Sequence, residues 1–285
     1  MIIQITQENC DKLYEYFTNN INSAPYYFQT SFEDWRACMF ADTTYKGAPL
    51  FSELLTFAII DNEQIEGFIS FGYSAFVFSD DDTLDFAKKY AIIRHVHYLE
   101  NAKNVDMLFE KANEYFDTHK VEERYAFFHY FGMSCYARQG KLHETAFYIE
   151  DTLTKHGFEL EHENVYFAKE INEESNKTNG INIVTHEREN GLLIDFVMDV
   201  EQIGGCELYF VKNSTICYLK WIYVDTSQTG AGLGTMCMQN LFAYLHETGI
   251  TRIDTDAPDI NTIAQGFYAK NGFVNKGKMR SYYKV

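Results

Sequence analysis

The run Val224-Asp-Thr-Ser-Gln-Thr-Gly230-Ala-Gly232-Leu-Gly234-Thr-Met-Cys-Met-Gln-Asn-Leu241 decides the reading of this chain. Ahead of it, Leu219 to Val224 is β-branched and aromatic and reads as a strand. Three alternating glycines follow a short polar turn. Beyond them Leu233, Met236, Cys237, Leu241, Tyr244 and Leu245 recur at helical spacing up to a stop near Gly249. A strand, a glycine turn and a helix N-terminus form a phosphate cradle. Glycine lets the backbone approach an anion, and the first-turn N–H groups have no intrahelical partner. The positive end of the helix dipole adds to the attraction. The run is not a Walker loop, because no Lys-Ser or Lys-Thr follows the last glycine. Nor is it the dinucleotide fingerprint, whose third glycine would fall on Thr235.

A second motif sharpens the reading: Asn261-Thr-Ile-Ala264-Gln-Gly-Phe267-Tyr268-Ala-Lys-Asn-Gly272-Phe273. In order and spacing the two segments resemble the GNAT-type N-acetyltransferase superfamily over residues 181–285. The resemblance implies an α+β fold with a mixed, mostly antiparallel twisted sheet flanked by helices, and acetyl-CoA as donor substrate with no metal. It implies roles as well. Backbone groups of Ile222, Tyr223 and Val224 would hold the pantetheine arm and face the thioester carbonyl. Thr229, Gly230, Ala231, Gly232, Leu233, Gly234 and Thr235 would take the pyrophosphate. Asn261 would bond the pantetheine or nearby backbone, Phe267 completes the cofactor-binding set, and Tyr268 would protonate the departing thiolate. Thr229 stands where the family usually has Arg or Gln, with Gln228 one residue early, and Thr226 replaces a common proline. These departures bear on affinity more than on fold, since backbone donors do most of the binding in such a loop. Glu207, Asp254 and Asp256 are the available carboxylates for a general base. Nothing in the sequence selects one of them, and proton removal by water is equally open.

The 285-residue chain has room for two modest domains. It has 21 Tyr and 24 Phe against 3 Pro, a composition of packed domains rather than disorder. No apolar run approaches a membrane span and the N-terminus lacks a secretory pattern, so the expected address is the cytoplasm, with no membrane partner. Six scattered cysteines without Cys-x-x-Cys spacing read as buried free thiols, Cys237 among them. The formal charge of −17 argues against nucleic acid and is compatible with cationic acceptors.

The sequence also reads as the same unit twice. Ile60-Asp61-Asn62-Glu63-Gln64-Ile65-Glu66-Gly67 echoes Met198-Asp199-Val200-Glu201-Gln202-Ile203-Gly204-Gly205 as a polar hairpin turn between apolar strands. His156-Gly157-Phe158 with Phe167-Ala168-Lys169 has the spacing of Asn271-Gly272-Phe273 with Tyr282-Tyr283-Lys284. The expected division is an N-terminal GNAT-like domain (1–172), a polar linker (173–179) and a C-terminal acetyltransferase domain (180–285). The first half has lost its cradle. No glycine lies between Gly72 and Gly132, and Leu153 stands where Tyr268 would align. His95 and His97 lack an evident third metal ligand. In the second half the first two strands are too close for the helices that usually wall the acceptor site. Tyr26, Tyr27, Phe28, Phe32 and Trp35 of the first half are candidate lining residues, with ordinary core packing the better expectation for most.

Transfer of an acetyl group to a primary amine, on a small molecule or a peptide, by direct attack in a ternary complex is therefore the leading expectation. The alternative is a non-catalytic coenzyme A or acyl-CoA sensor or scaffold. A monomer is expected, because a tandem duplication mimics a dimer internally.

Overall fold

The computed structural model describes all residues except 22–26, 29, 41–43, 46, 80–82, 119–120, 122, 134, 136–139, 173–179, 189, 226–231 and 285. The chain forms two compact units, Met1–Glu163 with Met279–Val285, and Asn164–Lys278. Compact units and sequence halves are thus divided differently. The strand Glu159–Glu170 gives residues 164–170 to the second unit, and the strand Val274–Lys284 gives its last residues to the first.

In the first unit the sheet runs Ile2–Ile5, Phe51–Asp61, Gln64–Ser74, Ala91–Tyr98, Arg124–Ala126 and residues 282–284. Every neighbouring pair is antiparallel except Ala91–Tyr98 with Arg124–Ala126. Helices Asp106–Phe116 and Phe147–Lys155 bury Leu108, Phe109, Phe116, Ile149 and Leu153 against one sheet face. The other face carries Phe68, His95 and His97, over which helix Asp11–Asn20 lays Tyr16 and Phe17. Tyr27, Phe28 and Trp35 are buried, and Tyr27 and Trp35 pack edge-on against Phe17. They are core residues; Phe32 lies against Trp35, and Tyr26 falls outside the described residues.

His97 is part of that core, with its Nδ1 2.8 Å from the Tyr16 hydroxyl. Burial disfavours the charged ring and holds its pKa down at about 4, against an ordinary 6.5. A histidine with a depressed folded pKa contributes stability that is present above pH 6.5 and is lost as pH falls toward 4. The contribution is at most about 3 kcal/mol. The urea midpoint of the first unit should therefore drop between pH 6.5 and 4, and His97→Gln should flatten part of that drop. An unchanged slope in the variant would exclude His97 as the source.

The second unit has the sheet order residues 164–170, Arg252–Pro258, Ile216–Val224, Glu201–Phe210, Gly191–Met198 and Asn182–Arg188. Only Ile216–Val224 with Arg252–Pro258 is parallel. Helix Leu233–Glu247 buries Cys237, Met238, Leu241 and Leu245 on the face formed by Ile194, Phe196, Cys206, Leu208, Cys217, Leu219 and Ile253. Helix Thr262–Lys270 adds Tyr268 to the same core. Asn182–Arg188 and Gly191–Met198 follow each other as a hairpin, with no helix between them.

The repeat is visible in fine detail. Asn62 and Glu63 have φ of 47° and 68°, and Asp199 and Val200 have φ of 49° and 74°, so both hairpins turn through two left-handed residues. Both carry a bulge just beyond the turn. The two turns align Asn62 with Asp199, and so Gly67 with Gly204, one residue earlier than the Gly205 that the sequence echo suggests. Gly67 faces Tyr98 and Gly204 faces Val224, and a Cβ at either would lie within 2.5 Å of the opposite strand.

Each unit is closed by a strand from the other half of the sequence. In the first, Tyr282 is buried against the helices, Ser281 donates to Glu161 at 2.7 Å, and Lys284 donates to the His156 carbonyl at 2.7 Å. In the second, Lys169 plays the part of Lys284, with its ammonium 3.0 Å from where a Cβ on Gly272 would sit. Both lysines thus lie at the C-terminal end of a helix, where carbonyls and dipole favour a cation. The exchange makes a testable assignment. Tyr282→Ala should cost about 3–5 kcal/mol, and the loss should fall on the first unit. Amide exchange should accelerate at Leu108–Phe116 and stay slow at Leu241–Leu245; the reverse pattern would contradict the exchange.

Candidate functional site

The parallel pairing between Ile216–Val224 and Arg252–Pro258 runs from Ile216↔Arg252 to Leu219↔Thr255 and stops. Thr255 Oγ1 takes the Leu219 carbonyl at 2.9 Å, and Lys220 is the extra residue of a bulge opposite Glu207/Leu208. Beyond that point the two strands are unpaired and an opening lies between them. Asp225 N–H bonds the Ile203 carbonyl at 2.9 Å, and antiparallel strands bond at alternate residues. The Tyr223 amide therefore faces the strand Glu201–Phe210, while the amides of Ile222 and Val224 face the opening. Of the three residues expected there, two present donors to it.

After residues 226–231, which lie outside the described residues, helix Leu233–Glu247 begins. Its N-cap is Gly232, with φ +81°, no side-chain cap and no acidic residue in the first turn. Leu233 is buried; Gly234 lies so close to Phe267 that a Cβ would come within 3.1 Å of the ring. The missing side chain at 234 thus brings the second motif up to the first. Thr235 completes the first turn, and Thr229, Gly230 and Ala231 lie outside the described residues.

The first unit parts at the same place: its parallel pairing ends at Ile93↔Ala126, with Arg94 as the extra residue of a bulge where the second unit has Lys220. Helix Asp106–Phe116 opens with Met107 N–H on Asn104 and Leu108 N–H on Val105. Asp106 sits in that first turn, bonded to Lys155 at 2.6 Å. A carboxylate, paired with Lys155 and His156, thus already occupies the helix end where an anion would be drawn.

Tyr268 lies in the core of the second unit, its ring among Phe167 (5.6 Å), Phe267 (5.7 Å) and Phe273 (5.4 Å). Burial raises its pKa above 10, the Thr255 hydroxyl works against that rise, and the Asp256 charge adds to it. The phenol is thus protonated throughout the neutral range. Asn261 caps helix Thr262–Lys270, its Oδ1 accepting from Ala264 N–H at 3.1 Å.

The three carboxylates have different surroundings. Asp254 is fully buried, gripped by Arg252 through both oxygens (2.7 and 2.8 Å) and by the Tyr166 hydroxyl at 2.5 Å. Burial, its largest influence, raises its pKa, with Arg252 acting the other way. Glu207 is bound to Lys220 and accepts from Trp221 Nε1 at 2.9 Å. Asp256 is half-buried and accepts from Tyr218 Oη and Asn164 Nδ2. Tyr218 and Asn164 were not singled out by sequence reasoning. The alternation of polar residues at 164 and 166 and at 254 and 256 is a signal for a shared sheet face. Their meeting across strands is not in the sequence.

All six cysteines are buried, and burial pushes the Cys237 thiol up to about 11. Among the described residues no group of three or more His, Cys, Asp or Glu is placed to hold a metal ion, and no helix is long and apolar enough to cross a membrane.

Residues 158–273 match the family model described as the acetyltransferase (GNAT) family. Among solved structures, the chain is similar to a tandem GNAT protein from the clavulanic acid biosynthesis pathway, with a TM-score of 0.66 at 10% identity. That match covers 99% of this chain and 97% of the other. It is also similar to a GCN5-related N-acetyltransferase from Sphaerobacter thermophilus, with a TM-score of 0.64 at 10% identity over 100% of this chain and 95% of that one. At these identities the likeness is one of fold: two GNAT-like domains in tandem.

Proposed function

We propose that this chain, which carries a GNAT-family domain over residues 158–273, is an acetyl-CoA-dependent N-acetyltransferase acting on a primary amine of a small molecule or peptide. The observation that carries the reading is the end of parallel pairing at Leu219↔Thr255, with the helix start at Gly232 beside it in sequence. Free amides of Ile222 and Val224 line the opening, and the helix N-terminus at Gly232 has no side-chain cap. The amides would hold the pantetheine arm, and the glycine turn with Leu233, Gly234 and Thr235 would receive the pyrophosphate. Holding both reactants in the opening supplies proximity. Amide donors aimed at the carbonyl oxygen stabilise the charge that develops on it. Tyr268 would then give its proton to the departing sulfur.

The proposed tandem halves are residues 1–172 and 180–285, joined by 173–179, with donor binding confined to the second. The working protein is proposed to be a cytoplasmic monomer that uses no metal. Calorimetric titration with acetyl-CoA, followed by an assay over a panel of primary amines, tests this. One site per chain with turnover is the expected result. Two sites would refute the loss of binding in the first half, and no site would refute the cradle.

A second reading, a non-catalytic acyl-CoA sensor or scaffold, draws on one observation. The strand lining the opening presents no carboxylate of its own, and its Lys220 is bound to Glu207. Tight binding without transfer to any amine of the panel would favour it.

A further inference from the structure

We infer that Asp256 is the carboxylate that receives the acceptor's ammonium group and takes its proton, with Tyr218 and Asn164 as the groups that aim it. The inference rests on the N-acetyltransferase reading and deepens it by naming a residue the sequence leaves open.

The argument is positional first. Pairing between the two parallel strands ends at Leu219↔Thr255, so Asp256 is the first residue of its strand beyond the last pair, at the mouth of the opening. Side chains alternate along a strand, so Thr255 and Asp256 point to opposite sheet faces. Thr255 lies on the helix-covered side beside Tyr268, and Asp256 lies on the other side, facing Tyr218 and Asn164. A thioester held in the opening is thereby flanked by a phenol on one side and a carboxylate on the other. The two groups that must handle protons sit across the reacting carbon from each other, which leaves separate approaches for leaving sulfur and attacking nitrogen.

Elimination agrees. Asp254 is fully buried and its two oxygens are taken by Arg252 and Tyr166. Glu207 is neutralised by Lys220 and holds the Trp221 indole. Among the described residues Asp256 is bonded to two neutral donors, one on each oxygen, and each carboxylate oxygen can accept a further hydrogen bond. Two fixed donors orient the carboxylate without cancelling its charge. An incoming cation finds a negative partner whose direction is set.

The proton balance closes. One N–H proton of the ammonium passes to Asp256 and from there to solvent. The nitrogen forms its bond to the carbonyl carbon, the C–S bond breaks, and the sulfur takes the phenol proton of Tyr268. The second N–H proton, released as the amide forms, restores Tyr268. In total, one N–C and one S–H bond form, one C–S and two N–H bonds break, and one proton is released to solvent.

The test compares wild type with Asp256→Asn and Asp256→Glu, using acetyl-CoA with spermidine, glucosamine and a lysine-bearing peptide. In Asp256→Asn, kcat/KM for the amine should fall about 100-fold or more near pH 7, with acetyl-CoA affinity by calorimetry unchanged. The deficit should shrink as pH approaches the amine's own pKa, because neutral amine then needs no base. Asp256→Glu should restore the wild-type shape of the pH profile at reduced kcat. A deficit of equal size at every pH would show a purely structural role and overturn the assignment. So would Asp256→Asn turning over as wild type does, an outcome that leaves the N-acetyltransferase reading intact. Wild type that binds acetyl-CoA yet transfers to none of the amines would instead defeat that reading and the assignment with it. If Asp256→Asn does not fold, Tyr218→Phe removes one orienting donor while keeping the ring. It should raise KM for the amine several-fold and leave acetyl-CoA affinity unchanged; no change in KM would count against the assignment.

Discussion

Gly232→Glu is expected to lower acetyl-CoA affinity by 100-fold or more. Two independent effects add. Gly232 has φ +81°, a conformation that costs an L side chain roughly 1–2 kcal/mol. The new carboxylate would also sit at a helix N-terminus that otherwise carries no acidic residue, against the pyrophosphate that the dipole and free amides attract. Among the described residues no atom lies within 4 Å of the added Cβ, so steric exclusion by them contributes little. Gly232→Ala isolates the conformational part and should lose about fivefold, the equivalent of the lower end of that strain. Gly249, at the far end of the same helix, has the same φ of +81° and the same open surroundings. Gly249→Ala should therefore lower the melting temperature to a similar extent and leave affinity unchanged. Calorimetry on the three variants checks the prediction. Undiminished binding in Gly232→Glu would mean the donor does not lie at this helix.

The second large effect is on turnover. Tyr268→Phe should reduce kcat by 100- to 10,000-fold, the range for removing a positioned acid, with acetyl-CoA affinity changed by less than about threefold. The ring stays packed among Phe167, Phe267 and Phe273, so the fold should be retained. The sign of the pH dependence follows from burial. A general acid works in its protonated form, and the Tyr268 pKa lies above the ordinary 10. Loss of this proton donor should therefore not limit the wild-type rate at any pH below 10. Stopped-flow and steady-state rates over pH 6 to 10 read both quantities. An unchanged kcat would reduce Tyr268 to a packed aromatic. Unchanged binding with no turnover in either protein would favour the scaffold reading.

The glycine turn and the Phe-Tyr-x-x-x-Gly-Phe segment were legible because each depends on spacing within one short stretch. The closeness to Phe267 that Gly234 permits is a contact between two helices and came with the fold, whereas helix starts and left-handed glycines are local properties. The hairpin echo was legible for the same reason. Its alignment slipped by one residue, since the second hairpin turns at Asp199 and Val200, where the matching of Asp-x-Glu-Gln-Ile letters puts the turn at Val200 and Glu201. The lost cradle of the first half was readable as an absence of glycine. That Asp106, paired with Lys155, occupies the helix end of the first unit came only with the fold. Tyr27, Phe28 and Trp35 illustrate the opposite limit: aromatic letters can suggest a lining, yet all three are buried, Tyr27 and Trp35 against Phe17.

The sequence by itself carried the class of fold, through two motifs whose order and spacing resemble one family, and the expectation of a tandem arrangement. Such motifs are legible because each depends on spacing within a few residues. Only the tertiary structure decided which strand closes each unit and which carboxylate is available at the opening. Residues 164–170 pair with Arg252–Pro258, and residues 282–284 pair with Arg124–Ala126. Partners so far apart in sequence are chosen by burial and register across the sheet, not by local preference. The same holds for Asp254 and Asp256. They are the same residue two positions apart on one face, yet Arg252 locks one in the core while neutral Tyr218 and Asn164 hold the other at the mouth. A carboxylate's reactivity is set by what surrounds it, and that is assembled from four separate stretches of chain.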